Sequence, residues 1–173
     1  MKRSVILISV LLVGILVFLI QRAREGNSPV HGQSLNIGQP AATFQLKDLA
    51  GNQVSLADFK GKVVMLDFWA TWCGPCRATM PEVEKLQQEH PDDFVLLAVN
   101  LGDSAEQVGR YVKMQNIQTR VLLDPDSGVG AAYGVGSIPM QVIIDKEGIL
   151  RHSQVGQYTG WREDLWAEIE KLK

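Results

Sequence analysis

Two cysteines, three residues apart, are the side chains of this 173-residue chain best suited to chemistry. Cys73 and Cys76 are its only cysteines. The apolar run before them, residues 63–69, predicts a buried strand, and residues 74–89 predict a helix. Because residues i and i+3 lie on one face of a helix, the two sulfurs can reach bonding distance. A strand that delivers a C-x-x-C pair to the start of a helix is typical of a dithiol–disulfide exchange site.

The start of the helix gives the two thiols different expected roles. Cys73 lies where unpaired N–H groups and the positive end of the helix dipole favour a thiolate. Cys76 lies one turn further in, where better shielding suits a resolving thiol. Pro75 occupies the first turn, where its missing N–H has no helical partner in any case. We therefore expect Cys73 to be the nucleophile and to remain open to a substrate.

The two alternatives to redox chemistry for the cysteine pair are a zinc site and a structural disulfide. A zinc site needs two further Cys or His ligands, and the histidines, His31, His90 and His152, are scattered along the chain. A structural disulfide that closes so small a loop removes little entropy from the unfolded chain. The sequence therefore favours redox use of the pair, and we expect neither a metal nor another cofactor.

Asp67 is an acid within the otherwise apolar strand that leads to the cysteines. One interpretation places its carboxylate at a strand end, facing water. If it is buried instead, its charged form is disfavoured and its pKa rises. A carboxylate of that kind can accept the proton of Cys76 when a mixed disulfide is resolved. We expect Asp67 to be catalytic in this sense.

The first residues predict a membrane anchor over residues 1–24. Residues 5–20 are strongly apolar except for Ser9 and Gly14, and a helix of that length reaches about 24 Å at about 1.5 Å per residue. A cleaved signal peptide is the alternative, but residues 18–22 offer no small-x-small cleavage site. We favour an uncleaved, single-pass anchor.

The orientation of that anchor depends on a nearly balanced distribution of charge. Lys2 and Arg3 precede the apolar segment, whereas Arg22 and Arg24 follow it together with Glu25. The amino terminus and Glu25 favour, by a small margin, a cytoplasmic N-terminus. This orientation would place the folded domain on the extracytoplasmic side of the inner membrane, where disulfides form.

Beyond the anchor, residues 25–37 are expected to form a linker and residues 38–173 a single domain. Residues 26–173 contain more Asp and Glu than Lys and Arg. They show no basic patch interleaved with aromatic residues, so nucleic acid is not an expected partner.

The domain alternates predicted strands and helices, which indicates a three-layer α/β fold. Residues 44–46 and 54–56 flank a turn and predict an N-terminal β-hairpin. An additional helix–strand unit is predicted between about residues 104 and 123. A final hairpin over residues 141–155 precedes a closing helix that starts near Trp161.

Two segments resemble the signatures of the thioredoxin family. Residues 66–76, Leu-Asp-Phe-Trp-Ala-Thr-Trp-Cys-Gly-Pro-Cys, resemble its active-site run, and residues 134–139 resemble the segment that ends in a cis proline. The hairpin, the additional αβ unit and the anchor are more similar to the membrane-tethered thioredoxin-like proteins of the TlpA/ResA family. The resemblance covers about residues 38–173 and implies a thioredoxin fold with an N-terminal β-hairpin and a central αβ insertion.

The resemblance also implies which residues meet a client protein. Trp72 would shield the dithiol and contact the client, and Gly74 and Pro75 would form the surface beside it. Pro139 would be cis, although a trans proline that opens a strand is the alternative from the residues alone. The backbone of Ile138 would then pair with an extended client. ResA-like proteins often carry an acid three residues after the second cysteine, where this chain has Thr79.

The expected function is an extracytoplasmic thiol–disulfide oxidoreductase that reduces client proteins, for example in cytochrome c maturation. The resemblance implies a membrane electron donor of the CcdA or DsbD kind. The same site could instead oxidise or isomerise disulfides. A peroxidase is disfavoured because its Pro-x-x-x-Thr-x-x-Cys approach is missing, and a Cu(I) carrier would use both cysteines as soft ligands.

Overall fold

The computed structural model describes residues 35–157 and 159–173. The anchor expected over residues 1–24 and most of the expected linker lie outside these residues. Within the described ranges, none of the helices combines the length and the apolar composition that a bilayer crossing requires.

A mixed seven-stranded sheet forms the centre of the molecule, in the order β2-β1-β5-β4-β3-β6-β7. The three central strands β5, β4 and β3 are parallel, and the remaining pairs are antiparallel. The strands are β1 (Gln45–Asp48), β2 (Gln53–Ser55), β3 (Val63–Trp69), β4 (Phe94–Leu101), β5 (Arg120–Asp124), β6 (Met140–Ile144) and β7 (Leu150–Val155). The helices are α1 (Gly74–Glu89), α2 (Ala105–Gln115), α3 (Gly128–Ala132) and α4 (Trp161–Glu170), with a 3₁₀ turn at Leu56–Phe59.

The N-terminal hairpin and the additional αβ unit, α2 with β5, are both present as the sequence predicts. The hairpin extends the main sheet, because β1 pairs antiparallel with β5 as well as with β2. Helix α2 begins where the pattern of residues 104–107 favours a start: Ser104 Oγ accepts the N–H of Gln107, and Gln107 Oε1 accepts the N–H of Ser104. The fold is therefore the α/β fold expected of a thioredoxin-like chain.

Strand β3 is buried along its whole length, as its continuous apolar run predicts. Its side chains alternate between the two faces of the sheet. Leu66 and Phe68 face a core shared with β1, β2, β6 and the segment around α3. Val63 and Met65 face the opposite core, which α1 and α4 cover. Both sides of β3 are therefore packed, which fixes the position of the segment that follows it.

Candidate active site

Cys73 and Cys76 form a disulfide across the first turn of α1, with their Cα atoms 5.3 Å apart. Cys73 is the N-cap residue of that helix, and the N–H of Cys76 donates to Cys73 Sγ at 3.2 Å. Pro75 lies within the first two helical positions. An N–H directed at the sulfur stabilises negative charge on it, so the position of Cys73 suits a thiolate when the pair is reduced.

Cys73 is less exposed to solvent than the sequence predicts. In the disulfide, Cys73 keeps only 4% of its surface exposed and Cys76 keeps 1%. Trp69 and Met80 belong to the same buried cluster as both cysteines, and Ile138 packs against that cluster. The difference between the two cysteines has the expected direction, but Cys73 is almost as buried as Cys76.

The shielding also has a different source from the one expected. Trp72 leaves 72% of its surface exposed, so it presents apolar area to solvent. Gly74 and Pro75, which follow it around the turn, are exposed too. These three residues form the outer surface beside the disulfide, whereas the enclosed cluster behind it does the shielding.

The peptide bond between Ile138 and Pro139 is cis, as expected. The carbonyl oxygen of Ile138 lies 3.8 Å from Cys73 Sγ. The carbonyl of Pro139 accepts the N–H of Gly156 at 2.8 Å, which fixes the start of β6 against the end of β7. The structure therefore places the Ile138–Pro139 segment directly beside the reactive sulfur.

Asp67 is buried within β3, so the interpretation of a water-facing carboxylate is wrong. It lies between Met65 and Trp69 on the face of the strand that α1 covers, since side chains two residues apart share a face. Burial raises the pKa of Asp67 to about 7, and a hydrogen bond from Gln141 opposes that rise. A carboxyl group with a pKa near neutrality can both accept and release a proton under physiological conditions.

Gln141 is a polar partner of this site that the sequence reasoning missed. It lies opposite Asp67 in the β3–β6 register, and its Nε2 donates to Asp67 Oδ1 at 2.6 Å. The available signal was a single amide within the otherwise apolar strand that follows Pro139. A polar side chain in such a strand requires a buried partner, and Asp67 was the acid without one.

Asp103 is a second residue that was missed. Its Oδ2 accepts the N–H of Thr71 at 2.7 Å and the side-chain amide of Asn100 at 2.9 Å. Because parallel strands β3 and β4 end at the same edge of the sheet, their following residues meet there. The signal that could have found it was a pair of polar residues, Asn100 near the C-terminal end of β4 and Asp103 just after that strand.

Thr79 takes the place where ResA-like proteins often have an acid. It is fully buried, and its hydroxyl donates to the backbone carbonyl of Cys76 at 3.2 Å. Asp67 is accordingly the acid of this site that lies on β3, before the cysteines. Among the residues that the structure describes, no group of three or more His, Cys, Asp or Glu side chains could hold a metal ion.

Comparison with known proteins agrees with this geometry. The sequence profile of the AhpC/TSA family matches residues 37–153. The chain is 42% identical over 125 residues to the thioredoxin-like protein YneN of Bacillus subtilis, which covers 70% of this chain and 73% of that protein. It is 35% identical over 138 residues to the thiol-disulfide oxidoreductase ResA of Geobacillus thermodenitrificans, covering 79% of this chain and 78% of the relative.

A solved structure shares the fold as well. The crystal structure of a candidate thiol:disulfide interchange protein DsbE from Chlorobium tepidum superposes with a TM-score of 0.75 and 33% sequence identity. The match covers 80% of this chain and 99% of that one.

Proposed function

Since the chain belongs to the AhpC/TSA family and is a thiol–disulfide oxidoreductase of the thioredoxin fold, we propose that it reduces disulfides of client proteins outside the cytoplasm. The observation that carries this proposal is the position of Cys73 Sγ. The sulfur lies at the N-terminus of α1, accepts the N–H of Cys76 and lies beside the carbonyl of Ile138.

The reaction begins on the reduced dithiol. The Cys73 thiolate attacks one sulfur of a client disulfide and forms a mixed disulfide, and the other client sulfur leaves as a thiolate. Cys76 then attacks Cys73 Sγ, so the Cys73–Cys76 bond forms and the bond to the client breaks. Asp67 accepts the proton of Cys76, which keeps the resolving sulfur nucleophilic. The client gains two electrons, and the protein ends in the disulfide form.

The surface around the sulfur supports binding of an extended client segment. The backbone of Ile138, held before cis Pro139, offers a short edge for hydrogen bonds. Trp72, Gly74 and Pro75 are exposed next to the disulfide in the chain and offer apolar contact. We propose that these five residues form the client-binding surface.

We propose reduction as the direction because the Gly74-Pro75 pair between the cysteines resembles that of reducing thioredoxins. The deciding quantity is the reduction potential of the pair, since 30 mV corresponds to about 1.4 kcal/mol. Equilibration with glutathione should give a reduction potential close to that of thioredoxin, which is about −270 mV. A value near about −120 mV, that of strong oxidants, would instead assign the site to disulfide oxidation.

The proposed setting is the extracytoplasmic face of the inner membrane, with residues 1–24 as anchor and residues 25–37 as linker. The charge around the apolar segment and the similarity to ResA support it. A donor of the CcdA or DsbD kind would return electrons to the disulfide, and an apocytochrome c is one proposed client. Thr79 replaces an acid that ResA-like proteins often carry, which favours Asp67 as the proton acceptor of this site.

The direct test is to trap the clients. Cys76→Ser removes the resolving sulfur, so a mixed disulfide at Cys73 should accumulate in cells and identify the client by mass spectrometry. Cys73→Ser, which lacks the attacking sulfur, is the matched control and should trap nothing. A result in which both variants trap equally, or neither does, would contradict the proposal. Rapid consumption of peroxide by the purified protein without a thiol client would favour a peroxidase instead.

A further inference from the structure

Three buried polar side chains form a row across one edge of the sheet. Asp67 on β3 lies opposite Gln141 on β6, and Gln141 lies opposite Gln154 on β7. Met140 and Val142, the neighbours of Gln141, face the core on the far side of the sheet. Gln141 therefore faces the same side as Asp67, the side covered by α1.

The hydrogen bond between Asp67 and Gln141 leaves one oxygen atom of each side chain without a hydrogen bond. Gln141 Nε2 donates to Asp67 Oδ1 at 2.6 Å. Asp67 Oδ2 and Gln141 Oε1 are both buried, and neither has a hydrogen-bond partner among the described residues. Both atoms are acceptors when Asp67 is ionised, whereas a protonated Oδ2 becomes a donor. A buried acceptor without a donor is costly, so a single proton on Oδ2 relieves this arrangement.

We propose that Gln141 is a positioning residue for proton transfer: it holds Asp67 through Oδ1 and leaves Oδ2 as the atom that takes the proton of Cys76. The bond to Oδ1 stabilises the charged carboxylate, which is the state that accepts the proton. This inference rests on the proposed function of the Cys73–Cys76 pair.

The proton transfer is part of a balanced step. Cys76 gives its proton to Asp67 Oδ2, and the resulting thiolate attacks Cys73 Sγ in the mixed disulfide. The Cys73–Cys76 bond forms, and the client sulfur leaves with the electron pair of the broken bond. The client thiolate or water later takes the proton from Asp67, which returns the carboxylate to its starting state.

Few titratable groups face Asp67 from the elements around it. The in-register neighbour on β4 is Ala98, and β6 contributes the amide of Gln141. Helix α1 contributes Cys76, which belongs to one buried cluster with Trp69 and with Ala98, the residue opposite Asp67. Strand β7 contributes half-buried His152, which shares a face with Gln154. Burial raises the pKa of Asp67, and the bond from Gln141 lowers it, so Gln141 is the polar contact that tunes this carboxyl group.

The test compares Gln141→Met with wild type in two measurements. Carbon NMR of the Asp67 carboxyl group in the disulfide form gives its pKa without any turnover. The pH dependence of the single-turnover reduction of insulin by the reduced protein gives the midpoint of the resolving step. Loss of the donor to the carboxylate should raise both values by about one pH unit, a tenfold change in proton affinity. In an Asp67→Asn background, Gln141→Met should cause no further shift of the rate profile.

Gln87→Met is the matched control. Gln87 is also an amide that donates and accepts, with the carbonyl of Phe94 and the N–H of Leu96, but it lies at the other end of α1. Gln87→Met should lower stability and leave unchanged both the pKa of Asp67 and the pH midpoint of the resolving step. If Gln141→Met fails to fold, Gln141→Asn gives the same test, because its shorter side chain withdraws the amide from Oδ1.

The possible outcomes separate the two proposals. A Gln141 variant that loses stability but keeps the wild-type pKa of Asp67 would overturn the positioning role and leave the exchange activity intact. Failure of the wild-type protein to reduce insulin would contradict the proposed function, whereas the NMR result would still decide how Gln141 acts on Asp67.

Discussion

Asp103 accepts the backbone N–H of Thr71 at 2.7 Å, although the two residues are 32 positions apart in the chain. The same oxygen accepts the side-chain amide of Asn100. Thr71 lies two residues before Cys73, so this carboxylate links the segment that leads to Cys73 with the end of β4. This link explains why the segment between β3 and α1 has one defined position.

Asp103→Ala should therefore lower the free energy of unfolding by about 2–3 kcal/mol, because it leaves two donors near the core without their acceptor. Urea denaturation of the disulfide form measures this change. Glu106→Ala is the control: Glu106 pairs with Arg110 on the exposed surface of α2 and should contribute at most about 0.5 kcal/mol. Equal losses in the two variants would argue against this link.

Asp67 should make the protein less stable as the pH rises. Its pKa is about 7 in the folded protein and about 3.8, the ordinary value for Asp, in the unfolded chain, so the native state binds the extra proton between these values. Stability is then greatest below pH 3.8 for this group and falls by about 4 kcal/mol as the pH rises to 7. Asp67→Asn should remove this fall, as urea denaturation at pH 5 and pH 8 would reveal.

Asp145 provides a control with the opposite sign. Burial, which raises its pKa, is outweighed by hydrogen bonds from the N–H of Ile149 and from Arg151, and the net pKa is lowered. Its contribution is present above the usual carboxyl pKa and is lost in acid. Asp145→Asn should thus be less stable than wild type at neutral pH and approach it near pH 3. If removing either carboxyl group changed the pH dependence of the free energy of unfolding in the same direction, the assignment of a raised pKa to Asp67 and a lowered pKa to Asp145 would be contradicted.

Trp72→Ala should weaken client binding without lowering stability. The side chain is largely exposed, so few core contacts are lost, whereas its apolar area is available to a client. We expect KM for a protein disulfide to rise about fivefold or more, with little change for a small disulfide. Met114→Ala on α2 is the control, because Met114 is 71% exposed but lies outside the Cys73 segment. A KM that stays constant would remove Trp72 from the proposed client surface.

Two glycines, Gly109 on α2 and Gly102 after β4, should respond to alanine in opposite ways. A Cβ on Gly109, inside α2, would meet no atom within 4 Å, so Gly109→Ala should stabilise the protein by about 0.5–1 kcal/mol. Gly102 has a φ of +77°, so Gly102→Ala should cost about 1–2 kcal/mol. Thermal unfolding of the two variants provides the comparison. Stabilisation by both would mean that the turn after β4 does not require a left-handed residue.

The elements of the fold were predictable because their signals are local. The apolar run of β3, the Cys73 start of α1 and the Ser104–Gln107 pattern each specify a structure within a few residues. The pairing of β1 with β5 was not predictable, because an edge strand can extend a sheet at either side without changing its own pattern. The resemblance alone supplied the cis state of Pro139.

The site was predictable in its sulfur chemistry and only partly in its polar support. Cys73, Cys76 and Asp67 stand out by residue type within about ten positions of sequence. Gln141 and Asp103 act through contacts that span 74 and 32 positions, and such contacts depend on strand register. The low exposure of Cys73 was missed for the same reason, since Trp69, Met80 and Ile138, which pack around the disulfide, come from three different segments.

The alignment of β3 against β6 governs two separate parts of the chemistry. Phe68 opposite Met140 brings the strand leading to Cys73 against the one that follows Pro139, and Asp67 opposite Gln141 completes the acid–amide pair. A slip of two residues would keep every side chain on its own face and preserve much of the packing. It would nonetheless separate Cys73 from the backbone of Ile138 and Asp67 from the amide of Gln141. Such a protein could remain folded and yet be inert.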